Sequence, residues 1–142
     1  MMDPSPFFII DASNMALSLN DGKGHLAIIR KGIDSLKREL PSSRIIAIAD
    51  ASLKHRVDDK ERFEDMLKCR DVYQVPAGTS ADYYIEKVAL KANEDLMKVL
   101  LVSNDQFKGR KIEKFERLKF LVVTINDSPE IFFYPDPKSI VG

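Results

Sequence analysis

The chain has little of what builds covalent staples or soft-metal sites. Its one cysteine, Cys69, excludes an intramolecular disulfide and a cysteine-based zinc site. Its two histidines, His25 and His55, are too few for a histidine-rich metal centre. No apolar run approaches ~18 residues, so no membrane-spanning helix is expected. The opening MMDPSPFFII has no basic n-region, and its apolar run is too short for a signal peptide. The expectation is a soluble, cytoplasmic chain without a membrane partner. Neither a Gly-x-x-x-x-Gly-Lys-Ser loop nor a Gly-x-Gly-x-x-Gly fingerprint occurs, and no Ser-His-Asp arrangement stands out. Net charge is zero, 22 basic against 22 acidic residues, which argues against a polybasic tail or a broad basic face but leaves room for a local basic groove.

What is present is a repeated pattern. Three apolar runs each end on acidic or acid-amide groups: FFII before Asp11-Ala-Ser-Asn14, IIAIA before Asp50, and VLLVS before Asn104-Asp105. A short apolar run closed by polar residues reads as a buried parallel strand. Ligands of open α/β sheets bind beyond the carboxyl ends of such strands. Carboxylates released along one sheet edge repel unless a cation lies between them. Oxygen-only ligands suit a hard divalent ion, Mg²⁺ or Mn²⁺. The pattern points to metal-dependent chemistry on phosphates.

At 142 residues and 44% hydrophobic, the chain is read as one domain, residues 1–142, with a core of its own. Strands are expected at Phe7 to Ile10, Arg44 to Ala49, Val72 to Val75, Val99 to Val102 and Phe120 to Ile125, with Ile131 to Tyr134 as an added edge. Leu26, Ile29, Ile33, Leu36 and Leu40 recur at helical spacing and stop at Pro41. A helix capped by Asp58 or Asp59 carries Phe63, Met66 and Leu67. Another starts near Ala81, and Ile112, Phe115 and Leu118 suggest a short one. Strands alternating with helices predict a three-layer, doubly wound α/β/α fold with a mainly parallel sheet of about five strands.

Asp11, Asp82 and Asp105 are the candidate metal ligands, with Asn14 beside the first and Asp50 at the rim. Each has an ordinary structural alternative. Asp11 and Asn14 suit an Asx-turn, and Asp82 in a helix's first turn complements the helix dipole. Ser13, Ser80, Ser103 and Asn104 are candidate substrate contacts. Lys54, His55 and Arg56 follow Asp50, and Lys108, Arg110, Lys111 and Lys114 follow Asp105. Either run could hold a nucleic-acid backbone, although such a run is more often a solvated face. Lys23, His25 and Arg30 could line the other rim. Tyr83, Tyr84 and Phe107 could stack on bases, with core packing the commoner role.

FFIIDASNMA, GTSADYYI and LLVSNDQFKG, in that order, with VVTINDSPEIFFYPDP at the end, resemble the NYN branch of the PIN-like ribonucleases, above all the Zc3h12a-like (Regnase-type) domains. The resemblance implies a PIN-like, Rossmann-like fold and a Mg²⁺-dependent endoribonuclease cutting single-stranded RNA or structured RNA loops. It makes Asp11, Asp82 and Asp105 metal ligands, with Asn14, Ser103 and Asn104 as supports. Two positions depart from the family pattern, Ala81 and Gly109, where Regnase-type domains carry acids. The alternatives are a catalytically degraded RNA-binding module and a toxin-like PIN nuclease of a toxin–antitoxin pair. A receiver-like domain phosphorylated on Asp50 fits less well, because Asp11 lacks an acidic neighbour. A homodimer is left open.

Overall fold

The computed structural model describes residues 5–141. Six strands form one sheet in the order β3-β2-β1-β4-β5-β6. They are β1 (Pro6–Asp11), β2 (Arg44–Ala49), β3 (Tyr73–Gln74), β4 (Lys98–Val102), β5 (Arg117–Ile125) and β6 (Ser128–Tyr134). The first five run parallel, and β6 returns antiparallel to β5. Among the described residues five α-helices accompany them: α1 (Ala12–Ala16), α2 (Leu26–Glu39), α3 (Lys60–Lys68), α4 (Ala81–Glu94) and α5 (Pro137–Val141), with a short 3-10 helix at Ala51–His55. None is long and apolar enough to cross a membrane.

The two-residue period of β1 explains how this sheet is covered. Phe8 and Ile10 point into a core with Leu26, Ile29, Ile33 and Leu36 of α2. Phe7 and Ile9 point the other way, into a second core with Ile85, Ala89 and Ala92 of α4. A strand buried on both faces has no polar alternation, which is why FFII reads as a continuous apolar run. Gly32 of α2 lets α1 come close, because a Cβ there would sit 2.8 Å from Met15 Sδ. That approach seats α1, and with it the end of β1, against α2.

The sheet differs from the expected one at four places. It has six strands, because the final edge strand forms a full ladder from Ser128 to Tyr134 against β5. β3 is only Tyr73–Gln74, since Val72 and Val75 turn into the two cores on either side of it. Asp11 leads directly into a short helix, α1, which the sequence pattern did not mark. No helix forms over Ile112 to Leu118: residues 108–115 are turns, Ile112 and Phe115 pack on the second core, and Leu118 belongs to β5. A three-residue recurrence of apolar side chains is satisfied as well by a turn-rich segment lying on a core as by one helical turn. Of the two predicted caps, Asp59 holds α3 by accepting from Arg62 N–H at 3.0 Å. Asp58 instead accepts from Leu26 N–H at the start of α2, at 3.3 Å.

Candidate metal centre

The three strands that end in acids lie side by side, so β2, β1 and β4 bring Asp50, Asp11 and the Asn104-Asp105 turn to one sheet edge. The start of α4 delivers Asp82 to the same place. A cavity of about 540 Å³ opens there, and Asp11, Asp50, Asp82, Asp105, Ser13, Asn14 and Asn104 all reach its wall. Leu17, Ser18 and Asn20 complete it.

Asp11 is the most deeply set of the four, at 6% exposure. Its Oδ1 caps α1 by accepting from Asn14 N–H at 3.2 Å, and its Oδ2 accepts from Ser103 Oγ at 3.2 Å. Burial pushes its carboxyl up to about 7, and the charges of Asp82 and Asp50 push the same way. The two hydrogen bonds oppose that rise because they favour the charged form. Asp82 is half-buried and is also raised, first by burial and then by Asp105, with Arg110 pulling it back. Among the described residues, its carboxyl accepts no side-chain or backbone hydrogen bond. Asp50 Oδ1 accepts from Ala81 N–H at 2.8 Å and so ties the end of β2 to the first turn of α4. Asp105 Oδ1 accepts from Phe107 N–H at 2.9 Å.

Around the acids is a lattice of small polar groups. Buried Ser13 accepts from Asp50 N–H at 2.9 Å. Ser103 Oγ accepts from Asp105 N–H at 3.0 Å. Asn14 Oδ1 accepts from Asn104 N–H at 3.0 Å. The Asn104 side chain behaves as a strand residue: Oδ1 accepts from Phe120 N–H at 2.9 Å and Nδ2 donates to Phe120 O at 3.0 Å. Ser80 is exposed and caps α4 through Tyr83 N–H at 3.2 Å.

The basic residues separate into two groups. Lys54 and His55 line a second cavity that shares Asp50 with the first, while Arg56 is exposed close by. Lys108, Lys111 and Lys114 are exposed on the turns after Asp105. Arg110 is held: its guanidinium lies 3.6 Å from Glu86, whose Oε2 also accepts from Lys111 N–H at 2.8 Å. Lys23 is exposed, His25 pairs with Asp21 at 2.7 Å, and Arg30 pairs with Asp71 and Asp34. Phe107 is core, Tyr84 is half-buried against the second core, and Tyr83 is exposed under Lys87.

Two residues with no assigned part in the sequence reading brace this edge. Glu86 stands one helical turn after Asp82, a spacing that places both on one helix face and could have drawn attention to it. Arg117 donates to Ser103 O at 2.8 Å, and no local signal marks it.

The donor set is oxygen-only, which fits a hard divalent cation and not a soft metal. Each of Asp50, Asp82 and Asp105 retains at least one carboxylate oxygen outside the hydrogen bonds named above. In this arrangement no three Asp, Glu, His or Cys side chains among the described residues converge on one ion-sized point. The acids stand at the cavity wall as like charges do when spread apart. Ala81 is buried in the second core at 2% exposure, and Gly109 adopts a left-handed φ of +81°, a conformation that favours glycine. No protein-family model matches this chain, and a comparison with curated proteins finds no match.

Proposed function

We propose that this chain is a metal-dependent endoribonuclease with the three-layer α/β/α architecture of the PIN-like NYN domains. The observation that supports it most is the arrival of four aspartates, from three strand ends and one helix start, at a single cavity on the carboxyl edge. Asp11 caps α1 and Asp82 lies in the first turn of α4, yet burial and mutual repulsion still raise both, and such perturbed groups in a cleft mark functional sites.

Asp11, Asp82 and Asp105 would hold Mg²⁺ or Mn²⁺, with Asp50 at the rim. When bound, such an ion supplies charge to a scissile phosphate and lowers the pKa of water. The chain's own groups do the rest. Ser103 and the Asn14 amide favour the charged form of Asp11 against burial and fix its orientation. Asn14 bridges β1 to the Asn104 turn and so sets the spacing between Asp11 and Asp105. Lys54, Arg56, Lys108 and Lys111 are free to neutralise flanking phosphates of an RNA strand.

The deciding experiment is cleavage of a labelled single-stranded RNA with Mn²⁺ or Mg²⁺, with EDTA, and with Asp11→Asn. Metal-dependent cutting that vanishes in the variant is the expected result. RNA bound but uncut in every condition would replace this reading with that of a binding module. The retained but open carboxylate set, with Ala81 in the core, is the observation that favours that second reading.

A further inference from the structure

Strand β6 is the last strand of the sheet, and among the described residues no strand pairs with its outer edge. Phe132 is 53% exposed and Tyr134 73%, next to Leu121 at 63% on β5. On the opposite face Phe120, Val122, Ile131 and Phe133 pack into the first core, so this face is bare because α4 covers only the other half of the sheet.

The turn fixes which backbone groups of β6 are free. Asn126 and Asp127 both have positive φ, 50° and 64°, between the paired residues Ile125 and Ser128. That is a two-residue type I′ hairpin, in which the residues flanking the turn form a hydrogen-bonded pair. Alternation then turns the backbones of Ser128, Glu130, Phe132 and Tyr134 toward β5, and those of Pro129, Ile131 and Phe133 outward. The outward carbonyl of Pro129 is where Lys31 Nζ binds, at 2.7 Å, which agrees with this assignment. No hydrogen bond from outside the hairpin reaches the backbone of Ile131 or Phe133 among the described residues.

The free edge is therefore a window from Ile131 to Phe133, with a proline on each side. Pro129 and Pro135 lie three residues before and three residues after Phe132. Prolines on an edge ordinarily blunt it against strand addition. Here they are symmetric about Phe132, so they leave one register open to a strand with the same spacing. We propose that β6 pairs antiparallel with β6 of a second copy of this chain, about a two-fold axis through Phe132.

In that register Ile131 of one chain faces Phe133 of the other and exchanges both backbone hydrogen bonds with it, twice over by symmetry. Pro129 comes opposite Pro135, where the partner's β6 has already ended in a bend, so no donor is lost at either proline. The Pro129 carbonyl, which such a partner cannot satisfy, already has Lys31. Phe132 meets its own copy on the bare face, and Tyr134 meets Glu130. On the other face the same axis brings together the elements beside β6, α2 and α5. Lys31, Asp34 and Arg38 flank Glu130 and Ile131 at this edge, so both signs of charge are present for self-complementary pairing. An unrelated strand would bring a backbone N–H to the Pro129 carbonyl that Lys31 already holds, which is why a second copy, with a proline at that place, fits better. An isologous contact of this kind closes on itself as a dimer.

The test is a cysteine at the axis. Phe132→Cys in a Cys69→Ser background places two thiols at a non-hydrogen-bonded pair, about 4.5 Å apart at Cα, inside the disulfide range of about 4.4–6.8 Å. Under mild oxidation this variant should link into dimers readily, and Leu121→Cys, as exposed but one strand inward, should link slowly or not at all. Sedimentation of the unaltered protein over a wide range of concentration should show a monomer–dimer equilibrium, moved to monomer by Phe132→Lys. A chain that stays monomeric at every concentration would overturn the proposal. So would a dimer in which Leu121→Cys links and Phe132→Cys does not. Both readouts are independent of any activity on RNA.

Discussion

Ser103 and Asp11 are 92 residues apart in the chain and touch across adjacent strands, the serine hydroxyl 3.2 Å from Asp11 Oδ2. The contact exists because β1 and β4 are neighbours in register, Ile10 against Val102, so the residues after each strand end side by side. It acts on the charge of Asp11, since a donor to the carboxylate opposes the rise that burial imposes.

Removing that donor should therefore move a titration. Ser103→Ala is expected to raise the pKa of Asp11 beyond about 7. Hydrogen bonds to charged groups are worth roughly 1.5–3 kcal/mol, and about 1.4 kcal/mol is one pH unit. The pH midpoint for Mn²⁺ binding, followed by calorimetry, should shift upward by about one unit in this variant. An unchanged midpoint would mean that the hydroxyl serves only the Asp105 turn.

The raised pKa of Asp11 also sets how stability depends on pH. An acid whose folded-state pKa lies above its unfolded value binds protons more tightly when folded. Its contribution is fully present below 3.8 and is lost as pH rises through about 7. The ion-free protein should thus melt several degrees lower at pH 8 than at pH 5, from a penalty that grows by roughly 2–3 kcal/mol over that range. Asp11→Asn should remove most of that difference. An asparagine still accepts from Asn14 N–H and can donate toward Ser103 Oγ. Saturating Mn²⁺ should raise the melting temperature of the wild type at pH 8 and leave Asp11→Asn unmoved, because a ligand stabilises only the form that binds it. Equal melting of both proteins at both pH values would contradict the assigned burial penalty.

How far the sequence led can be judged at individual residues. The apolar runs ending in Asp11, Asp50 and Asp105 were legible because a strand buried on both faces leaves a continuous apolar signature, and its end must become polar. Asp82 was legible from the helix start after GTS. The pairing of Asn104 with Phe120 was not, because a substrate-facing amide and an amide that completes a strand ladder look alike in sequence. The tie between Asp50 and Ala81 N–H was equally hidden, since it joins a strand end to a helix start 31 residues later. The turns at 108–115 defeated periodicity, as three apolar residues at helical spacing do not specify a helix without the intervening hydrogen bonds.

Asn104 gives a prediction about stability instead of chemistry. Its side chain supplies both a donor and an acceptor to Phe120, past the end of β4. Asn104→Ala leaves two partly buried backbone groups unpaired, at about 1–3 kcal/mol for each such group. Urea unfolding should show a midpoint lowered accordingly. Asn104→Asp should lie between, because a carboxylate accepts from Phe120 N–H but cannot donate to its carbonyl. If Asn104→Ala unfolded like the wild type yet bound RNA poorly, the amide would belong to the substrate and not to the sheet.

The basic residues make a prediction that separates contact from scaffold. Lys108 and Lys111 are exposed and their ammonium groups form no ion pair among the described residues, whereas Arg110 is 3.6 Å from Glu86 and acts on Asp82. Single-stranded RNA binding falls with salt by a log–log slope of about 0.7 for each phosphate neutralised. Measured on Asp11→Asn so that no cutting intervenes, Lys108→Ala and Lys111→Ala should each lower that slope by about 0.7 and weaken binding alike for every sequence. Arg110→Ala should leave the slope nearly unchanged and instead raise the Asp82 pKa further, because the cation that lowers it is gone. A slope that fell only for Arg110→Ala would place the RNA over α4 and leave the lysine turn as solvated surface.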